Sequence, residues 1–232
     1  MKTALVTGAS VGLGRALARA LARRGWHLVV DARHAGPLSA VVEELSRVTA
    51  VDGLVGDITD AAHRAQLAEL VGDGSLDLLV HNASTLGPGG LTPLASLTAA
   101  ALRDILETNL VAPADLTRQL LGALGRARGT VLTISSDAAV EHYATWGGYG
   151  ASKAALDHLA LTLAAEHPAL AVYAVDPGDM RTAMHQAAFP GEDISDRPGP
   201  ETVVDPILRL VDERPPSGRF RASDLAVVEV AR

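Results

Sequence analysis

The sequence predicts a doubly wound α/β fold: a mostly parallel, seven-stranded sheet with helices on both faces. Three observations predict it. Short apolar runs alternate with helix-length segments along the chain, and those runs are continuously apolar, as strands covered on both faces are. A glycine-rich turn also joins the first run to the first helical segment. Strand, helix, strand at this regularity means parallel βαβ units.

The expected strands, in order, are 2–7, 26–31, 48–56, 76–82, 129–135 and 169–176, with a last one, "LAVVEV", at 225–230. Between them fall helical patterns at 12–24, 37–47, 60–71, 98–124 and 149–166, and a shorter one near 200–213. Pro113 lacks the N–H that a helix interior needs, so it should kink or divide 98–124. The stretch from about Asp179 to Pro200 is rich in Pro, Gly and charge and reads as a loop or lid. The helix 149–166 is apolar nearly all round, so it should be covered on the side away from the sheet as well. We expect one domain spanning 1–232.

Bulk properties exclude several function classes. The 232 residues carry 20 basic and 27 acidic side chains, a formal charge of −7, with no basic stripe to bind nucleic acid. There is no cysteine, hence no disulfide, thiolate metal site or cysteine nucleophile. No apolar run approaches the roughly 18 residues of a membrane span, and the first residues read as a strand, not a cleavable signal. A cytoplasmic protein without metal is expected.

Chemistry gathers at four places. In "TGASVGLG" (7–14), Gly8, Gly12 and Gly14 follow a strand and open a helix, the context in which a helix N-terminus receives a pyrophosphate; a tight turn with no ligand is the plainer alternative. Tyr149 and Lys153, four apart on a helix, share one face, either as a proton-transfer pair or as a core tyrosine beside a snorkelling lysine. Ser136 follows the strand 129–135, so a parallel sheet brings it to the same carboxyl edge as Tyr149, where ligands of open α/β sheets bind. Asn109, on the long helical stretch, is placed to hydrogen-bond near the lysine.

These residues together resemble the short-chain dehydrogenase/reductases, in the branch with a single compact domain, over essentially the whole chain. The family's TGxxxGxG turn is matched by Thr7 to Gly14, its adenine-contacting Asp by Asp57 in "GDITD", and its NNAG by His81-Asn82-Ala83-Ser84. Its helix asparagine is matched by Asn109, its serine by Ser136, its YxxxK by Tyr149 and Lys153, and its PG-and-threonine motif by Pro177, Gly178 and Thr182.

The resemblance implies a Rossmann-like NAD(P)-binding domain that moves a hydride between a nicotinamide cofactor and the carbonyl or secondary alcohol of a small molecule. It implies Tyr149 as general acid or base, Ser136 orienting the substrate oxygen, Lys153 holding the nicotinamide ribose and lowering the tyrosine pKa, and Asn109 anchoring a relay water. Cofactor contacts are implied at Gly8, Ser10, Gly12, Leu13, Gly14, Asp57, Ile58, Asn82, Ala83, Tyr149, Lys153, Pro177, Gly178 and Thr182. Departures are His81 for the first Asn of NNAG, Ser84 for its Gly, and the absence of the glycine-rich ending. A non-catalytic cofactor sensor on the same fold is the alternative.

The family's acidic, NAD-selecting position falls on Ala32, followed by Arg33, which favours NADP; NAD remains possible because Asp31 stands one residue away. Strand alternation should turn Asp31 away from the ribose. Tyr143 and Trp146, close to Tyr149, are either a substrate wall or core filling beneath a loop. Met184, His185 and Phe189 are candidate lid contacts, and the apolar helix points to a homodimer or homotetramer.

Overall fold

The computed structural model describes residues 1–225. Its strands are β1 (Thr3–Val6), β2 (His27–Ala32), β3 (Val51–Val55), β4 (Leu78–His81), β5 (Thr130–Ile134), β6 (Ala171–Asp176) and β7 (Gly218–Arg221). Every pairing is parallel, in the order β3-β2-β1-β4-β5-β6-β7. The chain therefore winds outward from β1 to one edge, returns to β4, and winds to the other. The reversal between β1 and β4 opens a crevice at the strands' carboxyl ends.

Helices α1 (Gly12–Arg23), α2 (Ala35–Ser46), α3 (Ala61–Val71), α4 (Ala99–Leu106), α5 (Ala112–Ala127), α6 (Gly147–Glu166), α7 (Ala183–Ala188), α8 (Val204–Glu213) and α9 (Ala222–Leu225) complete the order. Two cores result. On one face Leu17 and Leu21 of α1, Leu38 and Val41 of α2, and Ile207 and Leu208 of α8 cover Val6, Val30 and Tyr173. On the other, Leu67 of α3, Leu116, Leu120 and Leu124 of α5 and Ala160 of α6 cover Leu5, Val29, Leu79 and Val172. Alternate residues of each strand serve opposite cores, which is why the strands read as unbroken apolar runs.

Four expectations need correction. The stretch 48–56 is not covered on both faces: β3 is an edge strand, with Asp52, Gly53 and Val55 exposed. The seventh strand of the described sheet is "GRFR" at 218–221; of the strand expected at 225–230, Leu225 closes α9 and 226–230 lie outside the described residues. The long helical stretch does not divide: it runs through from Ala99 to Ala127, its irregularity being a π-helical turn at Glu107–Val111, with Pro113 two residues beyond it. Residues 179–200 are not all loop, since they contain α7.

Candidate active site

The turn between β1 and α1 is shaped by its glycines. Gly8 and Gly12 have φ of 67° and 55°, left-handed values that side chains disfavour. Gly14 is constrained by space: a Cβ there would lie 2.5 Å from both the Gly8 carbonyl oxygen and Asn82 Nδ2. That Nδ2 clamps the turn from β4, donating to the carbonyls of Thr7 (2.9 Å) and Gly8 (3.1 Å). The Thr7 hydroxyl in return accepts the N–H groups of Asn82 and Ala83. From beneath, Asp31 Oδ1 accepts the Gly8 N–H at 2.8 Å while its Oδ2 pairs with His63 Nε2 at 2.9 Å, both side chains being buried. Asp31 thus braces the turn. Above it, α1 starts without a side-chain cap, so its first N–H groups remain available to an anion.

A cleft of about 330 Å³ runs along this edge of the sheet. One end is lined by Gly8, Ser10, Gly12, Leu13, Arg33, Asp57, Ile58, Asn82 and Ala83, the other by Ser136, Tyr149 and Lys153, and Pro177, Gly178 and Thr182 line it as well. Of the residues singled out in the sequence, Gly14 and Asn109 stand just behind this wall. Arg33 is exposed at the rim, next to Asp57. Burial would raise the Asp57 carboxyl, but hydrogen bonds from Thr59 and the charge of Arg33 prevail and hold it below its usual range. Thr182 closes over the glycine turn, its Cγ2 lying 3.5 Å from where a Gly12 Cβ would be.

At the other end, α6 abuts the segment after β5. Gly150 permits this: a Cβ would lie 2.6 Å from the Ala138 carbonyl. Tyr149 and Lys153 are buried side by side, with Lys153 Nζ 5.6 Å from the tyrosine ring centre and donating to the Ile134 carbonyl at 2.8 Å. The Ser136 hydroxyl donates to Asp137 Oδ1 at 3.0 Å and accepts the Ala138 N–H. Asn109, in the π turn, is fully engaged: Oδ1 accepts from Thr85 N–H (2.8 Å) and Ser84 Oγ (3.1 Å), and Nδ2 donates to the Thr85 carbonyl and Ser152 Oγ (2.9 Å each). Its side chain therefore holds the 84–85 loop against α6.

Burial pushes the Tyr149 phenol above its ordinary value, against the pull of the Ser136 and Ser84 hydroxyls. This differs from the depression expected of a neighbouring lysine, because desolvation of the phenol prevails. Burial also lowers Lys153 to about 8, with Asp157 opposing. His81 is buried on Thr117 Oγ1 at 2.7 Å, and burial with the nearby lysine lowers it to about 3, so it is a neutral structural group at the first NNAG position.

Apolar groups surround the phenol: Leu86, Ala138, Trp146, Met184 and Ala188. Trp146 meets Tyr143, Tyr149 and Phe189 with ring centres 6.1, 5.8 and 5.9 Å apart. Trp146, Met184 and His185 line the cleft, whereas Tyr143 is half-exposed and donates to Asp137. Sequence reasoning missed the Asp31–His63 brace, the Ser84 contact and a buried pairing of Asp157 with Ser135 and Arg219. The unusual Asp at the end of an apolar strand was the one available signal.

A model of the short chain dehydrogenase family matches residues 2–193. The uncharacterized oxidoreductase YIR035C of Saccharomyces cerevisiae is 35% identical over 187 residues, 79% of this chain and 72% of its own. A serine 3-dehydrogenase of Agrobacterium fabrum is 33% identical over 186 residues, 78% and 72% of the two chains. Among solved structures, an alcohol dehydrogenase from the archaeon Thermococcus sibiricus, complexed with 5-hydroxy-NADP, matches with a TM-score of 0.85 and 27% identity over 95% of each chain.

Proposed function

The chain belongs to the short chain dehydrogenase family, and on that premise we propose that it transfers a hydride between NADP and the carbonyl or secondary alcohol of a small, apolar-bodied substrate. It is a nicotinamide-dependent oxidoreductase. The observation that carries the finer reading is the convergence of Ser136, Tyr149 and Lys153 on one end of a cleft whose other end is a left-handed glycine turn. Those glycines, and the uncapped start of α1, fit a dinucleotide pyrophosphate. Arg33 at the rim, with Asp31 turned under the glycine turn, supports NADP.

When bound, the nicotinamide supplies or accepts the hydride. The chain's own groups do the rest. Ser136 Oγ turns from Asp137 to the substrate oxygen and orients it. Tyr149, kept protonated at neutral pH by burial, donates its phenolic proton to that oxygen as negative charge develops. Lys153, still mostly cationic at pH 7, stabilises the phenolate left behind. Leu86, Trp146 and Met184 exclude water and favour an apolar body on the substrate.

We further propose a homodimer or homotetramer built on α6, whose Leu159 and Leu161 are 42% and 39% exposed. Sedimentation at micromolar concentration should show no monomer. For the chemistry, the test is titration with NADPH and NADH by nicotinamide fluorescence, then NADPH oxidation against aliphatic and aromatic ketones and aldehydes, with Tyr149→Phe alongside. Turnover that disappears in the variant while NADPH binding persists is the expected result. Binding without turnover on any carbonyl would favour a cofactor sensor, and binding of neither cofactor would overturn the reading.

A further inference from the structure

The stretch that matches the family model ends at 193, yet a residue beyond it reaches into the catalytic framework. Arg219, on the edge strand β7, extends beneath β6. Its Nε donates to Asp157 Oδ2 at 3.0 Å and its Nη2 to the backbone carbonyl of Ser136 at 2.8 Å, with Asp176 Oδ2 3.6 Å away. Each contact belongs to a different part of the site. Ser136 carries the hydroxyl that orients the substrate oxygen, Asp157 stands one helical turn after Lys153 on α6, and Asp176 precedes Pro177 and Gly178 and accepts the Gly178 N–H at 3.0 Å.

We propose that Arg219 is a positioning residue for Ser136 and Lys153, its guanidinium fixing the serine's backbone while neutralising the carboxylate behind the lysine. The assignment rests on the oxidoreductase reading of the same site. Asp157 is buried, its second oxygen has no hydrogen-bond partner among the described residues, and its Oδ2 is shared between Arg219 and Ser135 Oγ, the latter at 2.7 Å. Without Arg219 it would be an unbalanced charge facing Lys153. The other groups around the ammonium do not replace the arginine: Tyr149 on the same helix is a neutral phenol, His81 of β4 is neutral, and from β5 comes the Ile134 carbonyl. Arg219 is also geometrically suited, since its planar fork serves a carbonyl and a carboxylate together, as a lysine does not.

The sequence offers an assay that needs no substrate. Lys2 and Lys153 are the only lysines, so acetylation by acetic anhydride at a series of pH values, resolved by peptide mass spectrometry, reads the Lys153 midpoint with Lys2 as internal control. The expected midpoint is about 8 in the parent. Arg219→Gln exposes the lysine to an unbalanced Asp157 and should raise it by about half a unit or more. The paired variant Asp157→Asn with Arg219→Gln should bring it back, and it keeps the test open where the single variant folds poorly.

In parallel, NADPH oxidation with trifluoroacetophenone should show kcat lowered about tenfold in Arg219→Gln at a little-changed NADPH affinity, because Ser136 is displaced and not the nucleotide. If the Lys153 midpoint is the same in all three proteins, the proposal is overturned. If the parent turns over no carbonyl at all, the functional reading fails, and the labelling arm still decides whether Arg219 governs Lys153.

Discussion

Removing His63 tests whether the buried brace beneath the glycine turn holds it in place. His63 and Asp31 are 4% and 1% exposed and are joined by a hydrogen bond of 2.9 Å. His63→Ala leaves the Asp31 carboxylate buried on the Gly8 N–H, at 2.8 Å. Breaking one side of such a pair costs about 3–5 kcal/mol. Replacing both by leucine takes the charge away too, and the main loss is then the acceptor for Gly8 N–H, about 1–3 kcal/mol. The double variant should therefore be more stable than His63→Ala. Urea unfolding at pH 7, followed by far-UV circular dichroism for the variants and the parent, measures all three differences. NADPH affinity should fall in every variant, because the turn loses its floor. A double variant no more stable than His63→Ala, or a His63→Ala cost below about 1 kcal/mol, would refute the reasoning.

Three more outcomes are expected. Arg33→Ala should weaken NADPH binding about tenfold or more and leave NADH unaffected, by fluorescence titration, and the difference should shrink with salt because the side chain is exposed. Gly14→Ala forces a Cβ to 2.5 Å from the Gly8 carbonyl, a backbone atom that moves only with the turn, so melting should show a loss of about 1–3 kcal/mol and NADPH affinity should fall. His81, about 3 when folded and near 6.5 when unfolded, binds protons more readily in the unfolded chain between those values, so the parent loses stability as pH falls through that window. His81→Asn should remove that share of the acid sensitivity, approaching about 4 kcal/mol near pH 3, as unfolding free energies measured against pH would show.

The architecture was legible because its cause is local: a strand covered on both faces must be apolar at every position, and five of the seven declare themselves so. The edge strand β3 was found as well, through Val51, Leu54 and Val55, although its Asp52 is exposed and its Gly53 lies close against Val42 of α2. β7 was not, since its Arg219 and Arg221 are spent on Asp157 and Asp176 and its sequence looks like a turn. Tyr149, Lys153 and Ser136 were legible as neighbours because helix spacing and strand ends set their positions. The brace was only half legible. Asp31 reads from the sequence as turned away from the cleft, but nothing local joins it to a histidine 32 residues on. The state of Tyr149 was not legible at all, because the burial that sets it comes from Leu86, Ala138 and Met184, brought to the phenol from separate segments.

The π turn at Glu107–Val111 lets the chain carry a surplus residue without disturbing the elements on either side. In a regular α-helix each added residue rotates the next segment by about 100°. Had 107–111 stayed regular, that rotation would carry Leu116, Leu120 and Leu124 of α5 off the sheet they cover. A wide turn, bonded i to i+5, takes the surplus up within itself and leaves α4 and α5 in phase. The bulge holds Asn109, whose amide ties the 84–85 loop to Ser152 of α6. Excising one residue from 107–111 should thus leave the leucine packing nearly whole while unhitching that loop from the helix that bears Tyr149. Like slack let into a taut line, the spare residue separates two demands on one helix, the phase that the core requires and the reach that the site requires.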